Sequence, residues 1–149
     1  LRRVGAADAT AVRQVLVIGA LSPIKGLQVL LGLARSRAAA DLGLHFTLLG
    51  HSSDDAALRA AGVQVLGRYE DKTLAGRIAE LAPDLILLPS VWPETFCYVL
   101  TTAAESGRPV AVFNLGAQAR RLKEAKAPAV YLPIELAGQP ELLARALAA

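Results

Sequence analysis

The segment 84–113 constrains the fold of this chain more than any other part of its sequence. Residues 84–88 (Asp-Leu-Ile-Leu-Leu) form a short apolar run that predicts a strand buried on both faces. After a loop that holds two prolines, apolar residues recur at helical spacing over 96–106. Gly107 is placed to end that helix, and 109–113 predicts the next buried strand. The segment therefore predicts strand, loop, helix and strand in succession.

The same alternation continues along the whole chain. Apolar runs predict strands at 14–19, 44–49, 63–66, 84–88, 109–113 and 130–132. Helical patterns predict helices at 23–37, 54–61, 72–81, 96–106, 117–126 and from Pro140 onward. This alternation predicts the α/β class, a Rossmann-like parallel sheet of about six strands with helices on both faces. By analogy with that class, we expect the strand order 3-2-1-4-5-6.

Composition limits the domain organisation and the classes of partner. Residues 1–13 predict a polar, Ala-rich lead-in, which leaves one domain at 14–149. The chain is 54% hydrophobic and 19% charged, which excludes a disordered protein. Its net charge of +3 is scattered rather than gathered on an aromatic-rich basic face, so we expect no nucleic-acid partner. Because the chain has no Met and begins Leu1-Arg2-Arg3, we expect it to be a piece of a longer protein.

Polar residues gather where the strand at 84–88 ends and the next helix begins. Ser90, Trp92, Glu94 and Thr95 lie in this loop, and Thr95 can cap the helix. In an open parallel sheet, ligands bind at this edge. The first backbone amides of a helix have no intrahelical partner and can hold phosphate, while a carboxylate beside them can hold a sugar hydroxyl. Here those amides belong to Phe96, Cys97 and Tyr98.

These residues carry a resemblance to a known family. Pro-Ser-x-Trp-Pro-Glu-Thr-Phe at 89–96, followed by Gly-x-Pro-Val at 107–110, resembles the donor-site signature of GT-B retaining glycosyltransferases of the group 1 type. The Trp-Pro-Glu-Thr variant is similar to enzymes of polysaccharide and O-antigen assembly. The resemblance implies the second of two Rossmann-like domains, the one that binds the nucleotide sugar, with the N-terminal acceptor domain missing.

The resemblance also implies an activity. The intact enzyme would move a hexose from a nucleotide sugar to a glycan or lipid-linked acceptor, with retention of configuration, and the isolated domain would be inactive. No cofactor and no metal would be required. The protein would be cytoplasmic, which fits the single cysteine, and any membrane contact would be peripheral and made by the full protein.

Roles for individual residues follow from the same resemblance. Glu94 would contact the donor sugar and, with Lys25, is the predicted catalytic residue. The pair Lys25-Gly26 would contact the diphosphate, whereas the usual Arg of that loop is replaced by Ala20 or its neighbour. The family's second Glu, which contacts the ribose, is replaced here by Thr102. Its hydroxyl could still bond the ribose.

The remaining donor-binding candidates lie in other loops that follow strands. His51 could contact the donor or be a surface histidine. Arg68 or Tyr69 could stack on the base or belong to a plain loop. Gly116 would allow close approach to the donor sugar. We interpret Trp92 as a packing residue beneath Pro93.

Two alternative functions share this fold, and several others lack their motifs. The first alternative is a non-catalytic nucleotide-sugar-binding or scaffold domain, favoured by the residues at 20 and 102. The second is half of a sugar-nucleotide epimerase. The sequence has no Gly-x-Gly-x-x-Gly after the first strand, no Walker loop, no Gly-x-Ser-x-Gly elbow and no ligand spacing for a metal.

Overall fold

A six-stranded parallel sheet forms the centre of the domain in a computed structural model that describes residues 12–92 and 98–149. The strand order is β3-β2-β1-β4-β5-β6, which confirms the predicted topology. Every pair of neighbouring strands is parallel. The strands are β1 (Gln14–Leu21), β2 (His45–Ser52), β3 (Gln64–Val65), β4 (Leu85–Leu88), β5 (Val110–Phe113) and β6 (Ala129–Leu132).

Helices cover both faces of the sheet. They are α1 (Leu27–Arg35), α2 (Arg37–Leu42), α3 (Asp55–Ala60), α4 (Leu74–Leu81), α5 (Tyr98–Glu105), α6 (Gly116–Ala125) and α7 (Pro140–Ala148). Within the described residues, 3-10 turns lie at Pro23–Lys25, Asp71–Thr73 and Ile134–Gly138. The predicted α/β architecture is therefore confirmed.

The sheet separates two apolar clusters, and β1 contributes to both. Val15 and Val17 lie in one cluster with residues of α1, α2, α3 and α7. Leu16 and Ile18 lie in the other with residues of α4, α5 and α6. Alternate side chains of a strand point to opposite faces, so a strand covered on both sides must be apolar at every position. Burial of each such side chain contributes about 1.5–3 kcal/mol.

The predicted single helix at 23–37 is wrong, because the chain forms a 3-10 turn and a separate helix there, and a further helix begins at Arg37. The 3-10 turn Pro23–Lys25 ends at Gly26, whose φ of 98° is left-handed and cannot continue a right-handed helix. Helix α1 begins after it and ends before Ser36. The Ser36 side chain then accepts a hydrogen bond from the Ala39 amide at 3.1 Å and caps α2.

Two carboxylates each join segments that are distant in the sequence. Glu141 of α7 accepts hydrogen bonds from the amides of Arg37 and Ala38 at 3.2 and 2.7 Å, which joins α7 to the start of α2. Asp84 accepts from the amides of Arg13 and Gln14 at 3.0 and 2.8 Å. The contacts of Asp84 hold the start of β1 beside β4. The strand order reverses between these two strands.

Candidate functional site

A cleft of about 200 Å³ lies at the carboxyl ends of β1 and β4. The loops after these two strands lead to opposite faces of the sheet, since the strand order reverses here, and this arrangement leaves a crevice between them. The cleft is lined by Ile18, Gly19, Ala20, Leu21, Lys25, Leu88, Pro89, Ser90 and Val99. Among the described residues of this lining, Lys25 is the one cation, and it is half-buried.

Hydrogen bonds join the two loops that border this cleft. The carbonyl of Ile24 accepts from the amide of Val91 at 3.1 Å and lies 3.3 Å from the hydroxyl of Ser90. The same hydroxyl lies 3.0 Å from the carbonyl of Trp92, so its proton can go to either acceptor. It also accepts from the Trp92 amide at 3.4 Å. Ser90 therefore holds both loops, and its side chain is buried.

Gly26 allows the two loops to touch. A Cβ atom at this position would lie 2.6 Å from the carbonyl carbon of Pro89, and the φ of 98° favours glycine as well. Lys25 consequently ends the 3-10 turn and precedes α1. Its predicted position in the first turn of that helix is wrong, although the structure brings its side chain to the cleft.

A second cleft of about 230 Å³ adjoins the first at Gly19 and Ala20. It brings together His51 at the end of β2 with Arg68 and Tyr69 after β3. Gly50 and Asp71 complete its lining. Three of the predicted donor-binding residues, one at the end of β2 and two in the loop after β3, therefore lie around one concavity.

Glycines at the strand ends shape both clefts, and the sequence analysis missed them. A Cβ atom on Gly50 would lie 2.9 Å from the carbonyl carbon of Gly19. A side chain at Gly50 would therefore prevent the close approach of β1 and β2 at this point. Gly19, with a φ of 127°, has open space where its own Cβ would lie. Because it lines both clefts, a side chain at Gly19 would enter the space that joins them. A glycine at the end of each of two adjacent apolar runs was the available signal.

The loop after β2 is held by a carboxylate next to the second cleft. Asp55 accepts hydrogen bonds from the amide and the hydroxyl of Ser52, both at 2.7 Å. The hydroxyl bond is the largest cause of a lowered pKa for Asp55, with the charges of Arg59 and His51 adding to it and burial opposing it. The neighbouring Asp54 caps α3 by accepting from the Ala57 amide at 3.1 Å. His51 is therefore attached to an anchored turn.

Other predicted residues lie away from these clefts or outside the described part of the chain. Thr102 is half-buried on α5 and lines neither cleft. Gly116 is the first residue of α6. Tyr98 is the first residue of α5 and is exposed. The predictions for Glu94, Thr95, Phe96 and Cys97 fall outside the described residues.

Trp92 does not pack as predicted. Its side chain is 61% exposed, so its interpretation as a buried packing residue is wrong. The polar Ser90, and not the tryptophan, supplies the buried contact that holds this loop.

Residues 12–149 match the protein family described as "Glycosyl transferases group 1". The chain belongs to this family. The match begins two residues before β1 and reaches the last residue, so it includes every element that borders the two clefts. Comparison with curated protein sequences gives no match.

Several solved structures have the same fold. HepE (Alr3699) of Anabaena, solved with UDP and glucose, has a TM-score of 0.61 and 22% identity over 89% of this chain and 37% of its own. A TarM mutant of S. aureus, solved with fondaparinux, alpha-GlcNAc-glycerol and UDP, has a TM-score of 0.65 and 18% identity over 91% of this chain and 29% of its own. The catalytic domain of cholesterol-alpha-glucosyltransferase from Helicobacter pylori has a TM-score of 0.62 and 15% identity, with 91% and 84% covered. This group 1 domain thus spans little more than a third of HepE.

Two further observations concern metals and membranes. Over 12–92 and 98–149, no group of three or more His, Cys, Asp and Glu side chains could hold a metal ion. Within the same described ranges, the helices are all too short or too polar to cross a membrane.

Proposed function

We propose that this domain binds the nucleotide-sugar donor of a retaining glycosyltransferase. The intact enzyme would move a hexose to a glycan or lipid-linked acceptor in polysaccharide assembly, and a second domain outside this chain would hold the acceptor. The observation that carries the proposal is the placement of Lys25 in a cleft where the strand order reverses, in a chain of the group 1 family. Open α/β sheets bind their ligands at such points.

The two adjoining clefts suggest how one donor could be held. The Lys25 ammonium would neutralise part of the diphosphate charge, with the backbone of Gly26 close beside it. The backbone amides of Phe96, Cys97 and Tyr98 at the start of α5 would add to this. The base would lie in the second cleft, where Tyr69 offers an aromatic face and Arg68 and His51 offer donors.

The sugar would lie at the loop after β4. Glu94 would bind the hydroxyls of the sugar, and Thr95 would cap the helix that follows. Gly116 would allow the backbone after β5 to approach the sugar closely. Thr102 would reach the ribose only if the donor extends along α5, because the threonine lines neither cleft.

Catalysis would rest on positioning and on stabilising the negative charge of the departing diphosphate. Lys25 and the amides at the start of α5 would carry this stabilisation, and no metal or other cofactor is required by it. Retention of configuration, hexosyl transfer and the cytoplasmic location belong to the same proposal. The single cysteine is compatible with a reducing compartment. Contact with a membrane would be peripheral and made by the full protein.

Titration calorimetry of the chain with nucleotides and nucleotide sugars tests the proposal. UDP, GDP and dTDP are compared with UDP-glucose, GDP-mannose and dTDP-glucose. We expect one nucleotide to bind saturably. Glu94→Ala should weaken the matching nucleotide sugar several-fold while leaving the bare nucleotide unchanged, because Glu94 would contact the sugar alone. An equal loss for both ligands would contradict this role. Glu124→Ala, on the exposed surface of α6, is the control.

A second function, non-catalytic nucleotide-sugar binding, is favoured by one observation. Ala20 lines both clefts, at a position where a phosphate-binding cation is expected. One positive charge is therefore missing where the two clefts adjoin. Ala20→Arg should tighten nucleotide binding if the site has lost a cation it once used. The two functions are separated by assaying sugar transfer in a longer protein that contains this domain.

A further inference from the structure

The tryptophan beside the first cleft has a largely uncovered indole ring. Trp92 is the chain's only tryptophan, and its side chain is 61% exposed. Ile24, in the loop that is hydrogen-bonded to this one, is 51% exposed. Two large apolar side chains on adjacent loops are therefore only partly covered by the rest of the described chain. Exposed tryptophans are over-represented among residues that dominate binding energy.

The backbone that carries this ring is held in place. The Ser90 hydroxyl accepts from the Trp92 amide and lies 3.0 Å from its carbonyl, and Ser90 itself is buried. The carbonyl of Ile24 adds a contact to Ser90 and another to Val91. A ring on a fixed backbone loses little conformational freedom when it binds a ligand, so less of the binding energy is spent on ordering it.

The position of the ring relates it to the sugar end of the proposed donor. Trp92 follows the cleft-lining Ser90 by two residues and precedes Glu94 by two residues. Two extended residues span at most about 7 Å, so the indole is attached close to the proposed sugar contact. Trp92 does not line the cleft itself, which places it on the rim, outside the space proposed for the diphosphate.

We propose that the indole face of Trp92 is a platform on which a pyranose ring packs. The apolar C–H face of a pyranose matches a flat aromatic surface, and the indole N–H can donate to a ring hydroxyl. A sugar covers such a surface while keeping its own hydroxyls in water at the rim. This inference rests on the proposed function, because either the transferred sugar of the donor or a sugar of the acceptor would supply the ring.

Fluorescence of the single tryptophan tests this directly, since the signal comes from residue 92 alone. The chain is titrated with UDP, GDP and dTDP, then with UDP-glucose, GDP-mannose and dTDP-glucose. In a further series, methyl glucoside, methyl galactoside and methyl mannoside are added both without nucleotide and at a saturating concentration of any nucleotide that binds. We expect a blue shift of the emission when a sugar covers the ring, and little change with the nucleotide alone.

The two sources of the pyranose give different results. A shift with the nucleotide sugar assigns the platform to the donor, whereas a shift only with the methyl glycosides assigns it to the acceptor. An unshifted emission while calorimetry records binding of a nucleotide sugar, with no response to the glycosides, would overturn the inference and leave the proposed function standing. A shift with the glycosides while no nucleotide binds would overturn the proposed function and leave Trp92 as a sugar platform. No binding and no shift in any series would overturn both.

Variants at Trp92 provide a second readout by calorimetry. Trp92→Ala should weaken the responsive sugar ligand by about threefold to tenfold and leave the nucleotide unchanged, as expected for the loss of one aromatic contact. Trp92→Phe keeps a flat face and should recover most of the affinity. Leu142→Ala, which removes an exposed apolar side chain of α7, is the matched control. Equal affinities for Trp92→Ala and the control would overturn the proposal.

Discussion

A Cβ atom at Gly26 would lie 2.6 Å from the carbonyl carbon of Pro89, because the loop after β1 passes directly against the loop after β4. Lys25 and Ser90, the residues next to this contact, both line the first cleft. The position of the lysine over the cleft thus depends on the absence of a side chain at its neighbour. The packing of the two loops therefore positions the residue proposed to bind the diphosphate.

Gly26→Ala should therefore destabilise the domain. The left-handed backbone costs a non-glycine residue about 1–2 kcal/mol, and the contact with Pro89 adds to that cost. Gly76→Ala, in α4 where an added Cβ meets nothing, should raise stability by up to about 1 kcal/mol. Thermal or denaturant unfolding followed by circular dichroism measures both. Equal stabilities of the two variants would contradict the close packing of these loops.

Gly19→Ala should weaken nucleotide binding through its position rather than through strain alone. Gly19 and Gly62 both have positive φ and both have open space at the Cβ, so alanine is strained at each. Gly19 lines both clefts and Gly62 lines neither. We expect both alanine variants to lose stability and only Gly19→Ala to lose affinity for the nucleotide in calorimetry. A similar loss of affinity in Gly62→Ala would point to a general effect of strain.

Acid should loosen the loop after β2. The pKa of Asp55 is held below its ordinary value of 3.8 by the hydrogen bond from Ser52. A depressed pKa in the folded state gives stability that is present above the unfolded value and is lost as the pH falls through the folded one. Asp55→Asn should remove this part of the acid dependence and lower stability at neutral pH by at most about 1 kcal/mol. Unfolding curves from neutral pH to below 3.8 test it, with Glu80→Gln on the exposed side of α4 as the control. If the free energy of unfolding changed with pH in the same way for the unaltered chain and for Asp55→Asn, the prediction would be contradicted.

The sheet could be predicted from the sequence because its strands are buried on both faces. Such strands read as short unbroken apolar runs, as at 85–88 and 110–113, and their order followed from the known behaviour of this class of sheet. The ends of the strands differed from the predicted ones by up to three residues, since strand pairing rather than composition sets them.

Other features depend on contacts between distant parts of the chain. The break at Gly26 reflects its contact with Pro89, which the local apolar spacing of 27–37 does not report. Trp92 was predicted to pack because tryptophan is large and apolar, but its loop is held by the Ser90 hydroxyl, which leaves the ring exposed. Thr102 stands where the related family has its second Glu, and its side chain lines neither cleft. A motif gives the spacing along a helix but not the distance from a cleft.

Titration calorimetry with UDP, GDP and dTDP tests the claim that Lys25 belongs to a donor site. We expect one of these nucleotides to bind saturably and to bind at least tenfold more weakly in Lys25→Ala, because that variant loses a charged contact to the diphosphate. Lys72→Ala, which removes an exposed lysine paired with Glu70, should bind as the unaltered chain does. Equal affinities for the two lysine variants would contradict the claim.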